Sequence, residues 1–214
     1  QEMKLKTSDY FKSKPSEFHK MLEGCPDFHR AIDLETGKKY SFPLCKHSAY
    51  FFPWNGDPLN IIPEIYDKWR VVKTLMGLDS DAYEKNTPKD GIVDRFQVVQ
   101  YPNRIGYLEP HSDPYLYQRL FISGYMSKRG LDYHGGGIFL VAHGDEVRFA
   151  EDRIEIGDLG IGYATVYHGV APCNRDLEPE WNADSGRWFL GLYSNASDEV
   201  PNRHTGHPVK LNLP

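Results

Sequence analysis

The stretch "YLEPHSDPYLY", Tyr107 to Tyr117, sets His111 and Asp113 two residues apart between Pro110 and Pro114. In an extended chain residues i and i+2 project to the same side, so this pair can offer one imidazole nitrogen and one carboxylate oxygen to a single ion. The flanking prolines restrict the backbone on either side of the pair. Two donors hold a metal weakly, and a solvated polar turn explains the tripeptide equally well. His168, in "GYATVYHGVAPC", is a third candidate at the end of a different strand-like segment. Two histidines and one carboxylate on one face of an octahedral ion leave three positions open for further ligands.

Such ligands need strands to hold them. "RFQVVQY", "QRLFISGYM", "GGGIFLVA", "DRIEIG", "GIGYATVYHG" and "RWFLGLYSN" are short, rich in β-branched and aromatic residues, and separated by Gly, Pro, Asn and Asp. Strands at this spacing predict a mainly β sandwich or jelly-roll barrel with flanking helices. Residues 1–94 read as a helical and irregular N-terminal part packing on the barrel, 95–195 as its core and 196–214 as a C-terminal tail, all in a single domain. Ser16 to Gly24 has the pattern of a short helix. In "IIPEIYDKWRVVKTLMGL" the spacing puts Ile65, Trp69, Val72 and Leu75 on one helical face, with Pro63 in the first turn.

Composition removes several classes of function. The 25 basic and 30 acidic side chains give a formal charge of −5, and neither sign forms a run, which argues against nucleic acid as a partner. Cys25, Cys45 and Cys173 are odd in number and widely spaced, so a disulfide framework and a zinc knuckle are both disfavoured, and a reducing cytoplasm is the expected compartment. No apolar run approaches the roughly 20 residues that span a bilayer, so no membrane partner is expected. The sequence starts at Gln1, which leaves open whether a further segment precedes it.

Taken together, "YPNRIGYLEPHSD", "HGGGIFLV", "IEIGDLGIGYATVYHGVAPC" and "SGRWFLGLY" stand in the order found in the prolyl-hydroxylase-like branch of the Fe(II)/2-oxoglutarate-dependent dioxygenases. The chain resembles that superfamily over about residues 95 to 195. The resemblance implies a double-stranded β-helix (jelly-roll, cupin-like) barrel, with His111, Asp113 and His168 as iron ligands. It implies Fe(II) and O2, with 2-oxoglutarate as co-substrate, its far carboxylate held by Arg187, which opens the last core strand. Tyr101, and with a weaker claim Tyr125, would assist. Arg175 sits in the polar insertion "NRDLEPEWNADS" and reads as a loop charge. The implied reaction is oxidative decarboxylation of 2-oxoglutarate to succinate and CO2, coupled to hydroxylation of a C–H bond; desaturation and ring closure use the same ligands. Asp113 stands where related halogenases have a small residue, which argues against halogenation.

For substrate contacts the loops beside the motif offer Arg104, Tyr107, Tyr115, Tyr117 and Arg119, and an earlier segment offers Trp54 and Asn55. Aromatic walls with a few cationic and amide groups suit a compact polar molecule, such as an amino acid or a natural-product intermediate, including one with an acidic group. Hydroxylation of a protein residue is an alternative that requires an open groove. A non-catalytic ligand-sensing barrel and a non-oxidative metal isomerase are alternatives of other classes. His134, His143, His204 and His207 have no partner in a matching motif, although "RHTGH" could hold a second ion.

Overall fold

The computed structural model describes residues 2–142, 147–203 and 205–211. Its elements are α1 (Glu2–Ser13), β1 (Phe28–Ile32), α2 (Leu34–Gly37), β2 (Leu44–Phe51), α3 (Ile62–Leu75), β3 (Ile92–Tyr101), β4 (Tyr107–Ser112) and α4 (Tyr115–Gln118). They continue with β5 (Leu120–Tyr125), β6 (Gly137–Val141), β7 (Val147–Phe149), β8 (Leu159–Tyr163), β9 (His168–Ala171), β10 (Arg187–Ala196) and β11 (His207–Pro208).

All strand pairings are antiparallel. The larger sheet runs β1-β2-β3-β10-β5-β8 and the smaller β7-β6-β9-β4-β11, with β2 reaching across to β4 through Leu44 and Cys45. The result is a mainly β jelly roll.

Strict alternation along β3 and β10 gives the larger sheet two unlike faces. Phe96 and Val98, with Leu192 and Leu190 opposite them and Trp188 two residues further along β10, form an apolar layer with Ile65, Tyr66, Trp69 and Val72 of α3. Trp69 is 1% exposed, and its truncation to alanine would cost about 3–5 kcal/mol. One ion pair fixes the helix to the sheet: Lys73 Nζ stands 2.6 Å from Asp94 Oδ2, and Ser194 Oγ donates to Asp94 Oδ1 at 2.8 Å, with both charges fully buried. The other face, carrying Arg95, Gln97, Val99 and Tyr101 opposite Tyr193, Gly191, Phe189 and Arg187, lines the barrel interior.

Several sequence expectations differ from this structure. The region before residue 95 supplies two strands, β1 and β2, and β2 pairs with β3 from His47 to Phe51. Ser16–Gly24 is not helical: Glu17 N donates to His29 O (2.8 Å) and Ala31 N to Ser16 Oγ (2.8 Å), which draws this segment against β1. Leu75 is 71% exposed, and Met76 takes its place on the buried face of α3. "DRIEIG" is a turn rather than a strand, because Glu155 N donates to Asp158 Oδ2 and Gly157 adopts a φ of +98°. "GIGYATVYHG" divides between β8 and β9. The three cysteines are buried free thiols, and among the described residues no helix is long and apolar enough to cross a membrane.

Candidate metal centre

His111 and His168 face each other across the β4–β9 pairing, and Asp113 follows directly after β4. Asp113 N donates to Ala164 O (2.9 Å), which holds the aspartate beside the segment leading to β9. His111 Nε2 lies 3.7 Å from Asp113 Oδ1, and His168 Nε2 lies 3.8 Å from Asp113 Oδ2. One ligand atom from each residue falls within 4.8 Å of the other two, and no other group of three such side chains occurs among the described residues.

Protonation states follow from the outer partners. His111 Nδ1 meets Glu109 O at 2.9 Å and His168 Nδ1 meets Val166 O at 2.9 Å. A carbonyl only accepts, so each Nδ1 carries the hydrogen and each Nε2 presents its lone pair to the centre. Burial, with His168 close by, pushes His111 down to about 4, so its imidazole is neutral at ordinary pH. Phe42 stacks on His111 at 4.6 Å, and Phe121 lies 4.8 Å from His168. Gln118 Nε2 donates to Asp113 Oδ2 at 3.1 Å. Two inward-facing imidazole nitrogens and one carboxylate, oriented by carbonyls and an amide and walled by rings, match a 2-His-1-carboxylate iron site.

A small cavity runs from this triad to Tyr101, Ser123, Ile138 and Arg187. At its far end Arg187 is 2% exposed, its guanidinium 5.0 Å from the Phe189 ring and 5.6 Å from that of Tyr101. Gly186 sets its position: φ is +92°, and a Cβ there would lie 2.3 Å from Tyr101 O. Arg187 Nε (2.7 Å) and Nη2 (2.5 Å) both donate to Glu151 Oε1. Glu151 Oε2 in turn accepts from the Tyr133 hydroxyl (2.5 Å) and Ile138 N (3.0 Å), a close approach that a side chain at Gly137 would block. Burial alone would lower the Arg187 guanidinium, but Glu151 beside it holds it above its ordinary value. Arg187 Nη1 and the Tyr101 hydroxyl are buried with no hydrogen-bond partner among the described residues. Orphaned buried donors are costly, and two at one end of a cavity that begins at three metal-ligand atoms fit the far carboxylate of a co-substrate chelated at the metal. Tyr125 pairs with Phe189, its ring 5.8 Å from the guanidinium; burial pushes its phenol up to about 12.

A second cavity of about 250 Å³ opens on the other side of the triad and shares Lys46, Leu108, His111, Asp113 and Tyr193 with the first. Its walls add Arg30, Tyr50, Arg95, Gln97 and Gln118, and Arg203, Thr205 and Gly206 border it. Burial, with Arg95 nearby, pushes the Lys46 ammonium down to about 7.

None of the seven residues offered for substrate contact, Tyr117 and Asn55 included, lines either cavity. Arg104 is half-exposed, 3.5 Å from Glu178 Oε1, and Tyr107 lies on β4 opposite Cys45. Tyr115 is 46% exposed on α4, Arg119 Nη1 donates to Met76 O (2.6 Å), and Trp54 stacks on Phe52 while donating to Cys25 O. Lys46, Tyr50, Arg95, Tyr193 and Glu151 went unnoticed in the sequence. The signal available for Arg95 was a charge alternating with Phe96 and Val98 in an otherwise apolar strand. His134 pairs with Asp176 at the surface; His143 and His204 lie outside the described residues.

No protein-family model and no curated protein matches the sequence. Among solved structures, Neurospora crassa T7H in complex with alpha-KG and thymine aligns with a TM-score of 0.51 at 13% identity, over 93% of this chain and 73% of that one. A Pseudomonas putida prolyl-4-hydroxylase aligns with a TM-score of 0.46 at 15% identity, over 71% of this chain and 69% of that one. A putative 2OG-Fe(II) oxygenase family protein from Caulobacter crescentus gives 0.47 at 12% identity, over 89% and 72%. The likeness to the first is one of fold: a jelly roll of this kind, carrying here a His-Asp-His group at its mouth.

Proposed function

We propose that the protein is an Fe(II)- and 2-oxoglutarate-dependent dioxygenase that hydroxylates a C–H bond of a small polar molecule. The reaction consumes R–H, O2 and 2-oxoglutarate and yields R–OH, succinate and CO2. The observation that carries this reading is one cavity with two ends: converging His111, Asp113 and His168 atoms at one, and unpartnered Arg187 Nη1 and Tyr101 hydroxyl donors at the other. Bound iron and co-substrate supply the oxidising chemistry. The chain's own residues hold and orient. His111 and His168, with Nδ1 protonated, present inward-facing imidazole nitrogens; Asp113 presents its carboxylate; Arg187 and Tyr101 receive the far carboxylate of 2-oxoglutarate; and Phe121, Ile138, Val170 and Phe189 keep the space between them apolar and dry. The second cavity gives a compact substrate direct access to the metal ligands, since His111 and Asp113 line it too. Complexes of the Neurospora crassa T7H fold neighbour with thymine and with 5-formyluracil are in keeping with a small-molecule substrate.

The test is succinate formation from 2-oxoglutarate under O2 with added Fe(II), against a panel of amino acids, nucleobases and short peptides. Turnover stimulated by a small molecule is the expected result. Absence of both Fe(II) binding and any stimulated turnover would overturn the reading.

A further inference from the structure

The cavity on the substrate side of the triad has an unbalanced charge. Four cationic side chains line it, Arg30, Lys46, Arg95 and Arg203, and the only carboxylate among its lining residues is the metal ligand Asp113. One of the four is neutralised from outside, because Arg203 Nε lies 3.1 Å from Asp198 Oδ1. The other three have no carboxylate at ion-pair distance among the described residues, Asp113 acting on Lys46 and Arg95 only from further away. Arg30 donates to the Tyr40 hydroxyl and lies over the Phe18 and Tyr40 rings. Arg95 is held between the rings of Tyr50 (5.4 Å) and Tyr193 (5.0 Å), with Nη2 donating to Gln97 Oε1 at 3.3 Å, while its buried Nε has no partner. Lys46 is paired with Ile32 through the β1–β2 ladder, but its Nζ makes no hydrogen bond or ion pair with a described residue, and its side chain lines both cavities. A lysine and a ring-clamped guanidinium with no carboxylate at ion-pair distance face one open cavity, and an anion bound between them would supply the missing counter-charge and hold Lys46 in its charged form.

We propose that this cavity binds the substrate through a carboxylate, received by Lys46 and by the free Nε edge of Arg95. The proposal rests on the dioxygenase reading, which makes this the substrate side of the metal. The ring clamp argues for a fixed anion site: Tyr50 and Tyr193 hold the planar guanidinium in one orientation, so its donor edge is set before the ligand arrives. The co-substrate's own anion site lies elsewhere, at Arg187, where Glu151 already supplies a counter-charge. The two cation sites therefore divide the labour: one places 2-oxoglutarate and the other selects an acid. Because Lys46 and both metal ligands His111 and Asp113 border the same 250 Å³ space, the carboxylate and the oxidised carbon belong to one short molecule.

The test uses the full chain loaded with Mn(II) and 2-oxoglutarate, titrated calorimetrically with benzoate, phenylacetate, hexanoate and proline, each against its primary amide. At least one acid should bind about 10-fold more tightly than its amide. Lys46→Met should abolish that preference, Lys46→Arg should restore it, and Arg95→Met should reduce it, with the affinity for 2-oxoglutarate unchanged in all three. Equal binding of acids and amides, no binding of any acid, or an acid preference that survives Lys46→Met would overturn the proposal. So would a Lys46→Met effect confined to 2-oxoglutarate, which would assign the lysine to the co-substrate. Failure of the wild-type protein to bind 2-oxoglutarate with Mn(II) would instead sink the parent reading.

Discussion

Two buried histidine pairs bridge neighbouring strands of this barrel, and only one of them is built to hold a metal. His111 and His168 sit directly opposite each other with ring centroids 4.4 Å apart, each Nδ1 tied to a main-chain carbonyl and each Nε2 pointing toward Asp113. His29 and His47 are offset by two positions on β1 and β2, stack at 5.4 Å, and use one nitrogen each on the other, His29 Nε2 meeting His47 Nδ1 at 3.2 Å while His29 Nδ1 meets Lys14 O at 3.4 Å. No carboxylate joins them in a ligand group, and His47 Nε2 is buried without a partner. Two histidines at contact distance are thus insufficient. What separates the pairs is that carbonyls hold both outer nitrogens of the first at 2.9 Å and leave both inner nitrogens to converge with an acid, whereas in the second the inner nitrogens face each other.

The largest expected effect comes from turning the first pair into the second kind. Asp113→Ala removes the acid and leaves two histidines, so Fe(II) affinity should fall by more than the roughly 10–100-fold that loss of an outer partner costs, and hydroxylation should disappear while the circular dichroism spectrum stays unchanged. A variant that still binds Fe(II) like the wild type would show that the acid is not what distinguishes the pairs.

Next in size is Arg187→Ala. It removes the donor at the far end of the cavity and leaves Glu151, 2% exposed, as an uncompensated buried acid. Weakening of 2-oxoglutarate binding by about 100-fold and a loss of about 3–5 kcal/mol in unfolding free energy should appear together. Glu151→Gln in the same background should recover much of the stability but none of the co-substrate affinity. Recovery of both would mean that Arg187 acts only through Glu151.

Orphaned polar atoms sharpen the comparison. The Tyr101 hydroxyl and His47 Nε2 are both buried and unpartnered, but the first lines the cavity with the triad and the second does not. Tyr101→Phe should therefore weaken 2-oxoglutarate binding about 10-fold while leaving the free protein as stable as before or slightly more so, since no hydrogen bond is lost from it. A calorimetric titration paired with a thermal melt separates the two effects; unchanged 2-oxoglutarate affinity would make the hydroxyl a packing defect like His47 Nε2.

The sequence made one of these pairs legible and hid the other. His111 and Asp113 were readable because two-residue spacing on a strand fixes a shared face, and His168 and Arg187 through the order of the motifs around them, although His168, expected to end a strand, opens β9. The last strands of the barrel were readable for the same reason, being apolar enough to declare themselves. β1 and β2 were not: "FHRAI" and "LCKHSAYF" carry charges and histidines that point into the barrel or at each other, which breaks the apolar pattern of a strand. Glu151 left no local trace, since its role rests on contacts with Arg187 and Tyr133, 36 and 18 residues away. The substrate-side residues misled for a geometric reason: Tyr115 neighbours the motif in sequence, but the short α4 carries it to the surface, while Lys46 and Arg95 arrive from distant strands.

The smallest effect concerns the second pair and its pH dependence. Burial, with His29 beside it, pushes His47 down to about 4. In the unfolded chain the same imidazole takes up a proton near its ordinary value of about 6.5, so between these limits the unfolded state binds more protons. The stability that His47 contributes is complete above about 6.5 and is lost as the pH falls toward 4, at up to about 1.4 kcal/mol per pH unit. His111 titrates in the same direction in the metal-free protein, and a bound metal holds it neutral in the native state without changing the contribution of His47. His47→Gln should thus flatten the acid limb of urea-unfolding free energy between pH 6.5 and 4.5 while leaving Fe(II) binding and turnover untouched. An acid limb as steep as the wild type's would mean that another group carries the titration, and a loss of turnover would mean that the two pairs are not separate after all.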